Sequence, residues 1–110
     1  MILFLGHYER EKMGMIDGNV YDFIDKLSYE DHYVIYDGEK YFFNGCQVSK
    51  DNQGNIISVV LEIYNLTQKV TIFSTEQLSV ADCISTFEEA KIWNGKSFWE
   101  VEQLMQWVDE

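Results

Sequence analysis

The stretch HYVIYDGEKYFFNGCQV, residues 32–48, decides how this sequence folds. Two runs rich in tyrosine, phenylalanine and β-branched residues flank the dipeptide Asp37-Gly38. Such runs favour strands, and Asp-Gly favours the tight turns that reverse a chain between paired strands. The stretch therefore predicts a β-hairpin whose second strand runs to Val48, with a bulge or kink at Asn44-Gly45.

Three further segments predict strands. QKVTIFST at 68–75 completes a meander, and MILFL at 1–5 predicts a first strand, since it is too short and lacks the basic start of a signal peptide. The longest segment, NIISVVLEIYNL at 55–66, has one mixed face and one unbroken apolar face, formed by Ile57, Val59, Leu61 and Ile63. That contrast predicts a central strand that packs under helices on one side and is partly wet on the other.

Apolar residues recur at helical spacing in two segments, 19–28 and 80–90. Ser79 precedes the second segment, and together with Asp82 it is typical of a helix N-terminus. The chain has no proline, repeat or low-complexity run that would indicate a linker, so we expect a single domain over residues 1–110. Strands followed by helices, in the order β-α-βββ-αα, predict an α+β fold with an antiparallel sheet of four to five strands and helices packed on one face.

The last segment, KSFWEVEQLMQWVDE at 96–110, predicts a final helix. Ser97 and Glu100 have the spacing of a capping box, and the buried stripe would comprise Phe98, Val101, Leu104, Met105 and Val108, with Trp107 at its edge. Trp99 falls outside this stripe, on the side of Glu102, Gln106 and Glu110. Its indole is either covered by KIWNGK at 91–96 or exposed, in which case it would form an aromatic anchor ringed by acceptors.

Charge narrows the range of partners. Nineteen acidic and eight basic residues give a net charge of −11, and the excess is spread along the chain. Such a field repels nucleic acid and anionic membranes, so we expect neither to bind directly, whereas a basic protein would be attracted. Solubility alone is the alternative explanation. The cysteines Cys46 and Cys83 show no metal-ligand or redox spacing, and we expect a reducing, cytoplasmic location, although a disulfide between them stays possible.

Motifs for catalysis or cofactor binding are lacking, so we expect no enzyme activity, no metal and no cofactor. One alternative is a nucleophilic pair in which His32 approaches Cys46 across the hairpin. The simpler interpretation of His32 is a surface residue at the start of a strand. Glu62 is the one carboxylate on the long strand, and an outward position explains it.

Tyrosines beside carboxylates favour a protein partner, because aromatic anchors dominate interface energetics and acids select a basic face. Residues of this kind on the strands are Tyr36, Asp37, Glu39, Tyr41, Glu62 and Tyr64. On the last helix the candidates are Trp99, Glu102, Gln106 and Glu110.

In its size, acidity, aromatic content and lack of catalytic motifs, the whole chain resembles the small acidic immunity proteins of bacterial toxin–immunity pairs. The resemblance implies a cytoplasmic, non-catalytic protein that neutralises a cognate toxin, often a basic nuclease, by covering its active site. Phage-type inhibitors that mimic nucleic acid, such as anti-CRISPR or anti-restriction proteins, share this profile and are the first alternative. An enzyme that uses Cys46 and His32 is the second.

Overall fold

Residues 14–109 are described by a computed structural model, and they confirm the α+β class. Within this range, five strands form one antiparallel sheet in the order β4-β3-β2-β1-β5. The strand predicted at 1–5 lies outside the described residues. In chain order the elements are helix α1 (Val20–Leu27), strands β1 (His32–Tyr36), β2 (Glu39–Lys50), β3 (Ile56–Asn65) and β4 (Val70–Gln77), helices α2 (Val80–Glu89) and α3 (Phe98–Val101), a 3₁₀ turn (Glu102–Leu104) and strand β5 (Gln106–Val108).

The predicted hairpin is confirmed at β1 and β2. Tyr36 pairs with Glu39, so the loop between the strands is the two residues Asp37 and Gly38. Their φ angles are +52° and +80°, which is the left-handed conformation that two-residue hairpin turns require and that aspartate and glycine tolerate. This turn fixes the register of the pair, and the register decides which side chains of β1 and β2 face the helices.

The predicted bulge is also confirmed. Asn44 pairs with Glu62 and Gln47 with Val60, so two residues of β2 lie opposite one residue of β3. Gly45 is the first of the two, and a Cβ atom there would lie 2.3 Å from the carbonyl oxygen of Glu30. Only glycine therefore lets the loop before β1 pass this close to β2.

The helices pack on one face of the sheet through stacked and edge-on phenylalanine rings. Phe43 of β2 lies 5.2 Å from Phe23 of α1 and 5.7 Å from Phe87 of α2, measured between ring centroids. Phe98 of α3 lies 5.0 Å from Phe87 and closes the cluster. All four rings are fully buried, so this cluster is the centre of the core. The Ser79 side chain accepts a hydrogen bond from the backbone of Asp82, which confirms the predicted cap of α2.

The prediction of one continuous last helix is wrong. The capping box of Ser97 and Glu100 forms, but α3 ends at Val101 and the chain passes through a 3₁₀ turn into strand β5. β5 pairs with β1 at Tyr33, Val34 and Ile35. Pairing satisfies the backbone groups on the edge of β1, which a continued helix would leave open, and this tertiary gain outweighs the local helical pattern.

Four side chains are placed differently from their predictions. Val108 was expected in the buried stripe of the last helix but is half-buried in β5, beside Tyr33. Leu104 is exposed because the 3₁₀ turn takes it off the stripe, and Ile57 is 55% exposed because it lies near the start of β3. His32 was expected at the surface but is only 6% exposed, since α1 and Trp107 cover it. No helix in the described part of the chain has the length and apolar character needed to span a membrane.

Candidate partner-binding surfaces

Part of the predicted partner-binding set meets at one cavity, at the turn end of the hairpin. Tyr36, Asp37, Glu39 and Tyr41 line this cavity of about 230 Å³ together with Trp93. We call it the hairpin pocket. Its residues come together because the hairpin register puts Tyr36, Glu39 and Tyr41 on the same side of the sheet.

Three aromatic rings form the walls of the hairpin pocket. The rings of Tyr36 and Tyr41 lie 5.6 Å and 5.1 Å from the Trp93 ring, with interplanar angles of 80° and 78°. Trp93 is held by a tight turn with two backbone hydrogen bonds. The backbone N–H of Trp93 donates to the carbonyl of Lys96 over 3.1 Å, and the backbone N–H of Lys96 donates to the carbonyl of Trp93 over 3.1 Å. The wall therefore combines rigid rings from the hairpin with an indole from the segment after α2.

Two carboxylates flank these rings. Glu39 Oε1 accepts from Asn65 Nδ2 over 2.6 Å and from Gln68 Nε2 over 2.7 Å, which fixes its orientation without neutralising its charge. Burial raises the pKa of Tyr41, and the negative charges of Glu39 and Asp37 raise it further. Within residues 14–109 the salt bridge found is Lys26–Asp22, so neither Asp37 nor Glu39 has a cationic partner there. The hairpin pocket is thus negatively charged.

Trp93 also carries an unused hydrogen-bond donor. The residue is 1% exposed, and its Nε1 has no hydrogen-bond acceptor among the described residues. A buried donor left unpaired costs roughly 1–3 kcal/mol. The hairpin pocket is therefore lined by aromatic and acidic residues, and one of its aromatic residues buries an unpaired donor.

Glu62 and Tyr64 lie on the opposite side of the sheet. On that side, one row of neighbouring residues crosses four strands: Val108 on β5, Tyr33 on β1, Phe42 on β2 and Tyr64 on β3. The rings of Tyr33 and Phe42 are 5.2 Å apart, and Glu62 is exposed in the next row. We call this surface, defined by Tyr33, Phe42, Glu62 and Tyr64, the open sheet face, because none of the described helices packs against it. It is a second aromatic surface, separate from the hairpin pocket.

The predicted cluster around Trp99 does not form. Trp99 is 38% exposed and its Nε1 donates to Glu88 Oε2 over 2.8 Å, while its ring lies 5.8 Å from that of Tyr21. Glu102 is buried in the 3₁₀ turn, and Gln106 lies in β5. The early end of α3 separates residues that a continuous helix would align, and Glu110 lies outside the described residues.

Polar contacts of His32 and Cys46 point to different neighbours. His32 Nδ1 accepts from Trp107 Nε1 over 3.2 Å. Burial raises the pKa of Cys46 to about 11, and the adjacent thiol of Cys83 adds to this effect. A thiol with such a pKa is protonated near neutrality, the opposite of an activated nucleophile. Cys83 donates to the carbonyl of Val59 over 3.2 Å, and both cysteines are free.

A second cavity, of about 280 Å³, lies beside His32. Its lining mixes Lys26 with Glu30 and Asp31, so it holds both signs of charge. Residues 14–109 contain no group of three or more histidine, cysteine, aspartate or glutamate side chains arranged to hold a metal ion. The described lining of the hairpin pocket, by contrast, has acidic residues and no basic one.

Trp93, Asn65 and Gln68 were missing from the predicted site. The sequence carries one signal for Trp93, the Asn94-Gly95 pair that follows it, because such a pair indicates a tight turn that fixes the preceding residue. Both residues adopt positive φ, +56° and +82°. Nothing local indicates that this turn packs against a hairpin more than fifty residues earlier in the chain.

Comparisons with known proteins give no relative: no protein-family model, curated protein or solved structure matches this chain.

Proposed function

We propose that this chain is a small cytoplasmic binding protein that neutralises a basic protein partner by stoichiometric binding, as immunity proteins do for bacterial toxins. The observation that carries the proposal is the hairpin pocket. Its aromatic walls are joined by two carboxylates, Asp37 and Glu39, that have no cationic partner within residues 14–109. A basic partner supplies the missing charge.

The energetics suit capture and retention. The net charge of −11 accelerates the approach of a basic protein, and this effect weakens as salt rises. Tyr36 and Tyr41 are already fixed in the core at 8% and 9% exposure, so a partner that contacts them costs little side-chain entropy, which favours slow release. Charge thus sets the rate of encounter, and the hairpin pocket sets the lifetime of the complex.

The nucleic-acid mimic is less well supported. Such a protein needs carboxylates in rows at phosphate-like spacing, roughly 7 Å along one strand. Here several carboxylates serve the fold instead: Asp51 accepts from two backbone N–H groups of its turn, Glu100 caps α3 and Glu88 binds Trp99. These acids are oriented by local hydrogen bonds and not by a common surface pattern.

Two charge-reversal variants test the proposal. Asp37→Lys and Glu62→Lys change the net charge equally, but one lies at the hairpin pocket and the other on the open sheet face. The first partner to test is the protein encoded by the neighbouring open reading frame. Calorimetry measures the stoichiometry and affinity of the complex, and an assay of the partner's activity measures its inhibition. We expect a 1:1 complex in which Asp37→Lys lowers affinity at least about thirtyfold, the range for a lost interfacial charge contact, while Glu62→Lys lowers it only slightly.

Either of two results would count against the proposal. One is a partner that binds without losing activity, because neutralisation is then absent. The other is a partner whose affinity responds to Glu62→Lys but not to Asp37→Lys, which would move the binding surface to the open sheet face.

A further inference from the structure

We propose that the hairpin pocket receives an arginine side chain of the basic partner. This inference rests on the proposed function and names the chemical group that the site recognises. The group would sit against Tyr36, Tyr41 and Trp93, with its guanidinium toward Asp37 and Glu39.

The size of the cavity fits a single side chain. Its volume of about 230 Å³ is below the roughly 300–1,000 Å³ of pockets that hold drug-sized ligands. A segment of protein backbone with its own secondary structure would not enter it. One extended side chain, reaching in from a partner surface, would.

The aromatic walls favour a cation. Tyr36 and Tyr41 pack edge to face on Trp93, and all three residues line the cavity. The two tyrosines are 8% and 9% exposed, and a cation near the face of such a ring gains about 0.5–1 kcal/mol at an exposed site. Guanidinium is favoured over ammonium because it is planar, stacks on rings and gives up its hydration more easily.

The carboxylates are arranged to accept more hydrogen bonds. Among the described residues, Glu39 Oε2 receives one hydrogen bond, from Gln68 over 2.9 Å, and a carboxylate oxygen has room for a second donor. Asp37 sits in the turn at the mouth of the hairpin pocket with its side chain exposed. The fork of donors on a guanidinium matches carboxylate oxygens in a way that a single ammonium does not.

The experiment uses the intact chain labelled with ¹⁵N and small amides as probes, so it does not need the partner. N-acetyl-L-arginine amide, its lysine analogue and its neutral citrulline analogue are titrated separately while the indole N–H resonance of Trp93 is followed. We expect a saturable shift with the arginine probe, and affinity at least about tenfold weaker with citrulline, which has nearly the same shape but no charge.

Two matched variants locate the effect. Asp37→Asn removes one charge but keeps the turn, because asparagine also tolerates the positive φ of 52° at this position. We expect it to weaken the arginine probe about threefold, as for an exposed charge pair. Glu76→Gln removes the same charge on strand β4, away from the hairpin pocket, and should leave the affinity unchanged.

Equal binding of arginine and citrulline, equal binding of arginine and lysine, or no shift at Trp93 with any probe would each overturn the inference. These results would leave the proposed function standing, since it is tested with the partner itself. Conversely, a partner that is not neutralised would remove the proposed function while a positive result for the arginine probe would still identify a cation site.

Discussion

The indole N–H of Trp107 donates a hydrogen bond to Nδ1 of His32 over 3.2 Å, and the two rings meet edge to face at 5.0 Å. This contact fastens β5 to β1 through side chains in addition to the backbone ladder. Since an indole only donates, Nδ1 of His32 must be unprotonated, and the neutral ring carries its proton on Nε2. His32 is therefore held in one charge state by the strand that the sequence did not predict.

The stability of the fold should fall in mild acid because of His32. Burial lowers the pKa of His32 below its usual 6.5; Lys26 also lowers it, whereas Glu30 and Asp31 oppose the shift. The unfolded chain thus binds a proton at a pH where the folded chain does not, so the stability contributed by neutral His32 is complete above about pH 6.5 and declines as pH falls below it. Urea unfolding between pH 7.5 and 5.5 measures the decline.

The control is His32→Asn, whose amide oxygen can replace Nδ1 as acceptor and does not titrate. An identical dependence of stability on pH in both proteins would show that His32 does not cause the decline.

Replacing the donor tests the same contact at constant pH. Trp107→Phe leaves Nδ1 of buried His32 without a donor, and we expect a loss of about 1–3 kcal/mol in the free energy of unfolding. Trp99→Phe is the matched control, because it removes an indole bond to Glu88 that lies at the surface. Water can replace that bond, so the loss should be below about 1 kcal/mol. Equal losses in both variants would show that ring size, and not the hydrogen bond, determines the effect.

The different outcomes for the hairpin and the C-terminal segment have a physical reason. The hairpin is determined locally, since Asp37-Gly38 sets the turn and the turn sets the register that places Tyr36 and Tyr41 on one side. Strand β5 depends instead on the open edge of β1, about seventy residues earlier in the chain. The capping box at Ser97 does form, but it fixes only the first turn of a helix and carries no information about where that helix ends.

The same distinction applies to the candidate site. Tyr36, Asp37, Glu39 and Tyr41 could be grouped from the sequence because they belong to one hairpin. Trp93 could not, because its place in the hairpin pocket depends on how the segment after α2 packs against the sheet. Contacts of this kind come from tertiary packing, which neither periodicity nor turn chemistry encodes.

Replacing Glu102 by glutamine should stabilise the protein at neutral pH. The carboxylate is 5% exposed, its Oε2 has no hydrogen-bond partner among the described residues, and burial raises its pKa above the usual 4.5. For an acid with a raised folded pKa, the favourable contribution is present below pH 4.5 and is lost as pH rises through the folded pKa. Glu102→Gln removes the buried charge, and we expect a gain of about 1 kcal/mol at pH 7 that disappears near pH 4.

A neighbouring glutamate supplies the control for that prediction. Hydrogen bonds from Ser97 lower the pKa of Glu100, whose carboxylate accepts from the Ser97 backbone over 2.9 Å. Glu100→Gln weakens this capping box and should therefore destabilise the protein slightly, the opposite sign to Glu102→Gln. If both variants shift unfolding in the same direction, the buried charge of Glu102 is not the cause.

Both cysteines should resist modification in the folded protein. Cys46 and Cys83 are buried and free, and a pKa of about 11 at Cys46 leaves few thiolates at pH 8. Because the thiolate is the reacting species, we expect labelling of Cys46 by a disulfide reagent to be at least about a hundredfold slower than for an ordinary exposed thiol. Labelling with and without denaturant, in Cys46→Ala and Cys83→Ala variants that each retain one thiol, measures the two sites separately. Rapid labelling of the folded chain would mean that Cys46 is exposed and ionised, as the alternative of a Cys46–His32 enzyme requires. Full partner binding by Cys46→Ala would instead leave the thiol with no role in function.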